Sequence, residues 1–310
     1  MKILVSSRSF GKIDSEAVKI LKDNGLEPVL NPHGRKLNEE ELLNLLDGVV
    51  GIIAGTEEIT EKIISNTNQL KVISRYGVGM DNVDLETAQR RGVLVYNTPE
   101  APTVAVAELT LSLMLNLLKK IVKVDRKIRD NLWKPEIGNL LSGKTIGIVG
   151  LGRIGKKLVQ LLESFGVKFL ACEINPDNNF VSDHKIDLVS LETLLSKSDI
   201  ISLHIPLTKQ TRHIIGKKEL TTMKENAILI NTARGGLIDE EALYTSLKDN
   251  KIAGAAVDAF EEEPYTGKLK RLDNVILTPH IGTYTIETRR QMEIEAVNNL
   301  IHGLKEVKVL

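Results

Sequence analysis

The sequence predicts an α/β protein made of two doubly wound parallel sheets. Three observations carry this. Short β-branched runs alternate with helical patterns, most of those runs are apolar on both faces, and they fall into two series separated by one long apolar helical stretch. A run that is apolar throughout needs cover on both sides, as in a parallel sheet between helical layers. Strand–helix alternation supplies those layers. With 310 residues the chain has room for two domains of about 150 residues each.

The first series comprises KILVSS (2–7), GIIAG (51–55), KVISRYG (71–77) and VLVYN (93–97). Between the first two lies DSEAVKILKDNG, where Ala17, Val18, Ile20 and Leu21 form an apolar stripe, Asp14 or Ser15 can cap the start and Gly25 can stop the helix. After the turn NTPEAP, the stretch TVAVAELTLSLMLNLLKKIVKVDRKIRDNLW (103–133) reads as one long helix. It is too long and too apolar for a simple crossover, so it is expected to be buried between domains and to join a dimer interface, ending in an arm around Trp133. Its most apolar part, LTLSLMLNLL (109–118), is interrupted by Thr, Ser and Asn and falls short of the ~20 apolar residues of a membrane span. The second series is TIGIVG (145–150), KFLACE (168–173), IISLHIP (200–206), AILINTA (227–233), GAAVDAF (254–260) and NVILTPH (274–280).

Bulk composition narrows the function. Lys plus Arg and Asp plus Glu both count 41, so there is no net charge to drive nucleic-acid binding. Cys172 is the only cysteine and the six histidines show no paired ligand spacing, so neither a disulfide nor a metal site is expected. The N-terminal apolar run is too short for a signal peptide. A cytoplasmic protein without membrane or nucleic-acid partners is expected.

The first chemical motif is G-L-G-R-I-G at 150–155. Glycine is common, so the spacing alone is weak. The context strengthens it: TIGIV precedes, an amphipathic helix pattern with Ile154 and Leu158 follows, and the next strand ends on Glu173, 23 residues after Gly150. Gly150 permits a tight turn, Gly152 lets a pyrophosphate approach the backbone, and Gly155 lets helix pack on strand. The helix N-terminus offers unpaired N–H groups to phosphates. A carboxylate at Glu173 can accept ribose hydroxyls and would repel a 2′-phosphate, and INPDNNFVSD after it holds no Lys or Arg. NAD is therefore expected rather than NADP.

The second motif is spread over three strand ends, where ligands of parallel sheets bind. ILINTARGG runs an apolar strand into Arg234 and two glycines. GAAVDAFEEEP places Asp258 and then Glu261, Glu262 and Glu263. NVILTPHIG places His280 directly after an apolar run. One such residue would be unremarkable, but a guanidinium, carboxylates and an imidazole at neighbouring strand ends form complementary chemistry.

R-G-G at 234–236, D-A-F-E-E-E-P at 258–264 and T-P-H-I-G at 278–282 resemble the D-isomer-specific 2-hydroxyacid dehydrogenases, in their phosphoglycerate-dehydrogenase-like branch. SRYGVGMDNVD (74–84), NTP…AELT (97–110) and GKTIGIVGLGRIG (143–155) extend the resemblance over nearly the whole chain in order. The resemblance implies an NAD-binding Rossmann domain (98–285) inserted into a flavodoxin-like substrate domain (1–97 plus 286–310), with a cleft that closes on substrate. It implies that Arg234 binds the substrate carboxylate and polarises the keto oxygen, that His280 is the general acid/base, and that Glu263 is its carboxylate partner. Arg153, Ile154, His204, Pro206, Thr232, Ala233, Asp258 and Gly282 join Gly150, Gly152, Gly155 and Glu173 as expected NAD contacts. Gly77, Val78 and Gly79 are expected to hold the substrate carboxylate, and Tyr76 beside them to line and narrow the pocket. Relatives of this kind are usually homodimers.

The resemblance is less specific about substrate. Longer phosphoglycerate dehydrogenases carry an arginine where this chain has Ala54, whereas Arg75 matches a basic position of that branch. Arg8 and Arg75 are expected to bind a distal anionic group, with 3-phosphohydroxypyruvate as the first expectation. A glyoxylate/hydroxypyruvate reductase or a reductase of another anionic keto acid is the alternative. A non-catalytic NAD-responsive scaffold, like the C-terminal binding protein corepressors, is a distant one.

Overall fold

The computed structural model describes residues 1–310. The chain divides into two compact units, Met1–Pro102 with Thr283–Leu310, and Thr103–Gly282.

The first unit alternates β1 (Lys2–Val5), α1 (Glu16–Asp23), β2 (Glu27–Leu30), α2 (Glu39–Leu45), β3 (Val49–Ala54), α3 (Glu61–Asn66), β4 (Val72–Arg75), α4 (Leu85–Arg90) and β5 (Leu94–Tyr96). All strands are parallel, in the order β2-β1-β3-β4-β5. Successive residues serve opposite faces. Ile3, Val5, Ile53 and Val72 join one core with Leu21 and with Leu300 and Leu304 of the C-terminal helix. Leu4, Ile52, Ala54 and Ile73 join another with Leu42, Ile63 and Ile64. Each such aliphatic side chain stabilises the fold by roughly 1.5–3 kcal/mol on leaving water, so both helical layers are needed. Asp14, not Ser15, satisfies the start of α1, its Oδ1 accepting from Glu16 N at 2.9 Å. The strand EPVL was not foreseen from the pattern. It is an edge strand, partly exposed and interrupted by Pro28.

The second unit opens with α5 (Pro102–Lys119) and α6 (Ile121–Arg129). Then follow β6 (Thr145–Val149), α7 (Arg153–Leu162), β7 (Lys168–Cys172), α8 (Asn178–Asp183), β8 (Ile186–Leu188), α9 (Leu191–Lys197) and β9 (Ile200–Leu203). It closes with α10 (Lys217–Thr222), β10 (Ile228–Asn231), α11 (Glu240–Lys248), β11 (Gly254–Val257) and β12 (Val275–Leu277). The seven parallel strands run in the order β12-β11-β10-β9-β6-β7-β8. Chain direction across the sheet reverses between β6 and β9, which creates a crevice at their carboxyl ends. The short edge strand IDL was again not foreseen, because only Ile186 of it is buried. The chain then returns to the first unit as α12 (Ile286–Glu306), where Ser74 Oγ donates to Ala296 O at 2.7 Å.

The stretch 103–133 is not one helix. Lys120 adopts a left-handed φ of 56°, and Leu118 O accepts Asn139 N at 2.8 Å from a returning segment. With that carbonyl taken, helical pairing cannot run through. Pro102–Lys119 is, contrary to expectation, long and apolar enough to cross a membrane by length and composition, with a window hydropathy of 1.2 and 44% of it buried. Its Ala107, Leu113, Met114 and Leu118 lie in the core beneath the second sheet, which accounts for that apolarity. Beyond the break no residue of α6 is buried. The following segment is tied back by Glu136, ringed by Lys120, Lys123 and Lys127.

Candidate active site

The opening of the dinucleotide motif is dictated by close backbone approach. Gly150 has φ +96°, and a Cβ there would lie 2.6 Å from His204 O; one on Gly155 would lie 2.2 Å from Gly150 O. Glycine lets β6, β9 and α7 converge at the switch point. Above Gly152 the space is open, with nothing within 4 Å of a Cβ position. The first backbone bond of α7 runs from Lys156 N to Gly152 O, so the N–H groups of Ile154 and Gly155 have no helical acceptors. A pyrophosphate fits this cradle.

Glu173 ends β7 beside it. Its Oε2 accepts from Leu151 N at 2.7 Å, and its Oε1 from Ile174 N at 2.8 Å and Asn175 N at 3.0 Å. Burial pushes this carboxyl up, but the three N–H donors outweigh it and hold it below the usual glutamate range. The carboxylate is thus charged and oriented, with acceptor capacity left for a ribose hydroxyl. His204, beyond β9, pairs its Nε2 with Ser202 Oγ at 2.9 Å, while its buried Nδ1 has no partner. Burial pushes His204 down to about 4, so it is a neutral ring with one unfilled polar position. Pro206 lies on the same loop, its carbonyl accepting from Thr211 Oγ1 at 2.7 Å. An open cradle, a fixed carboxylate and an orphaned nitrogen together fit NAD.

The candidate reacting groups Arg234, Glu263 and His280 lie beyond the ends of β10, β11 and β12. Asn231, buried at the end of β10, clamps the turn that follows. Its Nδ2 donates to Arg234 O at 2.8 Å and its Oδ1 accepts from Ala233 N at 3.1 Å. Arg234 Nη1 donates to Ala233 O at 2.7 Å. A Cβ on Gly235 would fall 1.9 Å from Phe260 O, and Gly236 has φ +77°. The two glycines therefore let the arginine turn lie against the segment that carries Glu263. Thr232 is buried, and its hydroxyl donates to Thr110 Oγ1 at 2.8 Å, because the Thr110 proton is committed to Val106 O.

Asp258, fully buried after β11, accepts from Thr278 Oγ1 at 2.6 Å, Ile281 N at 2.8 Å and Gly282 N at 3.0 Å. These bonds bracket His280, which sits at φ 53°, a conformation that a non-glycine residue keeps only when its neighbours impose it. The imidazole Nδ1 lies 2.9 and 3.1 Å from the two oxygens of Glu263, whose Oε1 also accepts from Phe260 N at 3.1 Å. A carboxylate only accepts, so Nδ1 carries the proton and Nε2 is left for exchange with a ligand. The hydrogen bond that His280 donates to Glu263 raises the His280 pKa against burial, helped by the charges of Glu263 and Asp258 and opposed by Arg234. Burial pushes Glu263 up, but His280, the Phe260 N–H and the Arg234 charge hold it lower.

The signs define a window. His280 adds stability that is complete below the ordinary histidine value and is lost as pH rises through its raised one. Glu263 adds stability present above the ordinary carboxylate value and lost as pH falls through its lowered one. The pair is 46% and 41% exposed, so water screens much of this. Replacing Glu263 with Gln is expected to move the His280 titration, followed by imidazole NMR shifts, to lower pH. An unmoved titration would assign the raised value to Asp258 instead.

In the first unit, the loop after β4 is held by Thr98 and Asn97. Gly77 N donates to Thr98 Oγ1 at 2.9 Å and to Arg75 O at 3.0 Å, and Asn97 Nδ2 donates to Val78 O at 2.7 Å. The Gly77 N–H is thus spent within the protein, whereas those of Val78 and Gly79 have no protein acceptor. Tyr76 corrects the expectation of a pocket residue. It is 5% exposed, packs edge-on against Phe10, lies under the Arg289 guanidinium and donates its hydroxyl to Arg289 O. Arg75 turns back on the protein, donating to Asn82 Oδ1 at 3.1 Å, Ala54 O at 3.4 Å and Tyr76 O. Arg8 is exposed at the end of β1. Asn231 and Thr278, which position the reacting groups, were missed from sequence; the signal for Asn231 was a lone amide ending an apolar strand.

Exchange of a hydride with a dinucleotide needs a seat for its phosphates, and a hydroxyl carbon needs a group to take its proton. The second unit has both, which defines an NAD-dependent oxidoreductase. Residues 111–282 match the model of the D-isomer specific 2-hydroxyacid dehydrogenase NAD-binding domain, and the chain belongs to that family. It is 42% identical over 285 residues to a glyoxylate reductase of Thermococcus litoralis, covering 89% of this chain and 85% of that one. It is 38% identical over 300 residues to a hydroxypyruvate reductase of Thermotoga maritima, covering 94% and 96%. It is 41% identical over 295 residues to a D-3-phosphoglycerate dehydrogenase of Methanocaldococcus jannaschii, covering 94% of this chain and 55% of that one. Among solved structures, a D-lactate dehydrogenase of Aquifex aeolicus, complexed with NAD and lactic acid, aligns with a TM-score of 0.86 at 28% identity, over 100% and 96% of the two chains.

Proposed function

We propose that the protein reduces a small 2-keto acid without a phosphate, of the glyoxylate or hydroxypyruvate kind, to its D-2-hydroxy acid. The observation that carries this reading over 3-phosphohydroxypyruvate is Arg75. Its guanidinium is committed to two backbone carbonyls and Asn82, and Ala54 offers no cation, so neither position supplies the cation that a distal phosphate needs. The first unit is the substrate domain and the second the NAD domain. NADH, held along Gly150–Gly155, Glu173, His204 and Pro206, and toward its nicotinamide end by Thr232, Ala233, Asp258 and Gly282, supplies the hydride. Arg234 pairs with the substrate carboxylate and polarises the keto oxygen, a task suited to a planar two-pronged donor. Val78 and Gly79 of the first unit offer N–H groups to a substrate carboxylate. His280 Nε2 gives its proton to the forming alkoxide, and Glu263 stabilises the imidazolium beforehand.

A cytoplasmic homodimer belongs to the same reading. Trp133 and Ile137 are each 91% exposed, an apolar surface suited to a second copy.

Following NADH oxidation at 340 nm with glyoxylate, hydroxypyruvate, 3-phosphohydroxypyruvate, pyruvate and 2-oxoglutarate tests the reading. The expected result is that glyoxylate or hydroxypyruvate exceeds 3-phosphohydroxypyruvate at least ~10-fold in kcat/KM, about 1.4 kcal/mol, and that NADH exceeds NADPH. The reverse order would return the protein to phosphoglycerate oxidation and the opening of serine biosynthesis, with Arg8 as the phosphate contact.

A further inference from the structure

The sheet order of the first unit reverses at β1, so its own ligand crevice opens at the carboxyl ends of β1 and β3. Glu57 lies there and is 2% exposed. Its Oε1 accepts from Ser6 Oγ and, at 2.8 Å, from Gly55 N. Its Oε2 accepts from no protein group. That oxygen lies 2.8 Å from where a Cβ on Gly55 would be, and the same Cβ would be 3.3 Å from Ser7 Cα. Any side chain at position 55 would collide with the carboxylate, so the glycine leaves Oε2 room between the two strand-end loops. The loop is rigid: Asn82 Nδ2 donates to Glu57 O at 2.6 Å and to Gly55 O at 3.4 Å, while Asn82 Oδ1 accepts from Arg75. A carboxylate only 2% exposed and held by one oxygen keeps acceptor capacity on the other for a donor that enters the crevice.

We infer that Glu57 forms a specificity subsite in the crevice of the first unit that accepts a hydrogen bond from a neutral hydroxyl of the substrate. The inference rests on the keto-acid reductase reading and deepens it: the preferred substrates are hydroxylated 2-keto acids of the hydroxypyruvate class. A hydroxyl donates to Oε2 and satisfies it. A methyl group leaves it orphaned. A phosphate carries a charge of roughly −1.5 to −2 at neutral pH and is repelled by the carboxylate. Ser6 and Gly55 keep Oε1 in place, so the acceptor is in position before binding.

The test compares wild type with Glu57→Gln, whose amide oxygen can keep the bonds to Ser6 and Gly55 while the other atom becomes a donor. The expected result is a fall of about 10-fold or more in the ratio of kcat/KM for hydroxypyruvate over glyoxylate, as suits loss of a hydrogen bond to a charged group, and a rise for 3-phosphohydroxypyruvate. Product inhibition of the wild type needs no variant: D-glycerate should inhibit about 10-fold more tightly than D-lactate, and 3-phosphoglycerate more weakly than either. Equal inhibition by D-glycerate and D-lactate, or an unchanged ratio in a folded Glu57→Gln protein, overturns the subsite while glyoxylate turnover keeps the reductase reading. Absence of NADH oxidation with every keto acid overturns both.

Discussion

Replacing His280 with alanine lowers kcat for keto-acid reduction by about 100- to 10,000-fold, the range over which a positioned acid contributes. The geometry makes the loss large. Glu263 fixes the tautomer by taking Nδ1–H at 2.9 Å, and Asp258 fixes the backbone on both sides of the ring, so the proton on Nε2 is aimed as well as available. The raised pKa of His280 keeps the acid form populated to higher pH than a free histidine. In the reduction direction wild-type kcat/KM should therefore hold on the acid side and fall as pH rises through that raised value. The oxidation direction, which needs the neutral ring, should gain there. The alanine variant should lose both limbs. Stopped-flow absorbance at 340 nm across pH reads this, and a loss under 10-fold would mean that solvent delivers the proton.

Replacing Arg234 with methionine, which keeps much of the side-chain length without charge, is expected to lower kcat/KM by about 100- to 1,000-fold. Truncating one partner of a hydrogen-bonded charge pair costs 2–5 kcal/mol or more, and each 1.4 kcal/mol is tenfold. KM for the keto acid should rise, because carboxylate binding is lost. kcat should fall too, because the keto oxygen loses a donor as charge develops on it. NADH affinity, read by fluorescence titration, should change little. Lysine at 234 should recover only part of the loss, since an ammonium cannot present two parallel donors. Full recovery by lysine would reduce the role of Arg234 to point charge.

Much of this was legible along the chain because it is written in short-range pattern. Runs such as ILV in β1 and IGIV in β6 are buried at every position, and only a sheet covered on both faces can bury them. The glycine motif reads well because each glycine answers a local steric demand, as the contact of Gly155 with Gly150 O shows. Arg234, Glu263 and His280 stand out because strong polar groups in the short segments that follow apolar strands have few structural excuses. The edge strands β2 and β8 were not legible, since half of an edge is wet and its pattern decays toward that of a loop. The long helix was misjudged for a complementary reason. Its apolar pattern continues past Lys120, but Leu118 O is claimed by Asn139, a partner 21 residues away that periodicity cannot see.

Sequence by itself determined the two-sheet architecture and the dinucleotide seat and marked out the candidate reacting groups, because these rest on hydrophobic period and on residue chemistry within a few positions. Tertiary structure alone decided how those groups are used. Tyr76 is core because Phe10 and Arg289 enclose it. Arg75 faces inward because Ala54 O and Asn82 lie on neighbouring strand and loop. Glu57 acquires an unfilled acceptor because Ser6, 51 residues away, holds its other oxygen. A side chain's type sets which bonds it can make, but the partners within reach are set by which distant strand ends the sheet order brings side by side.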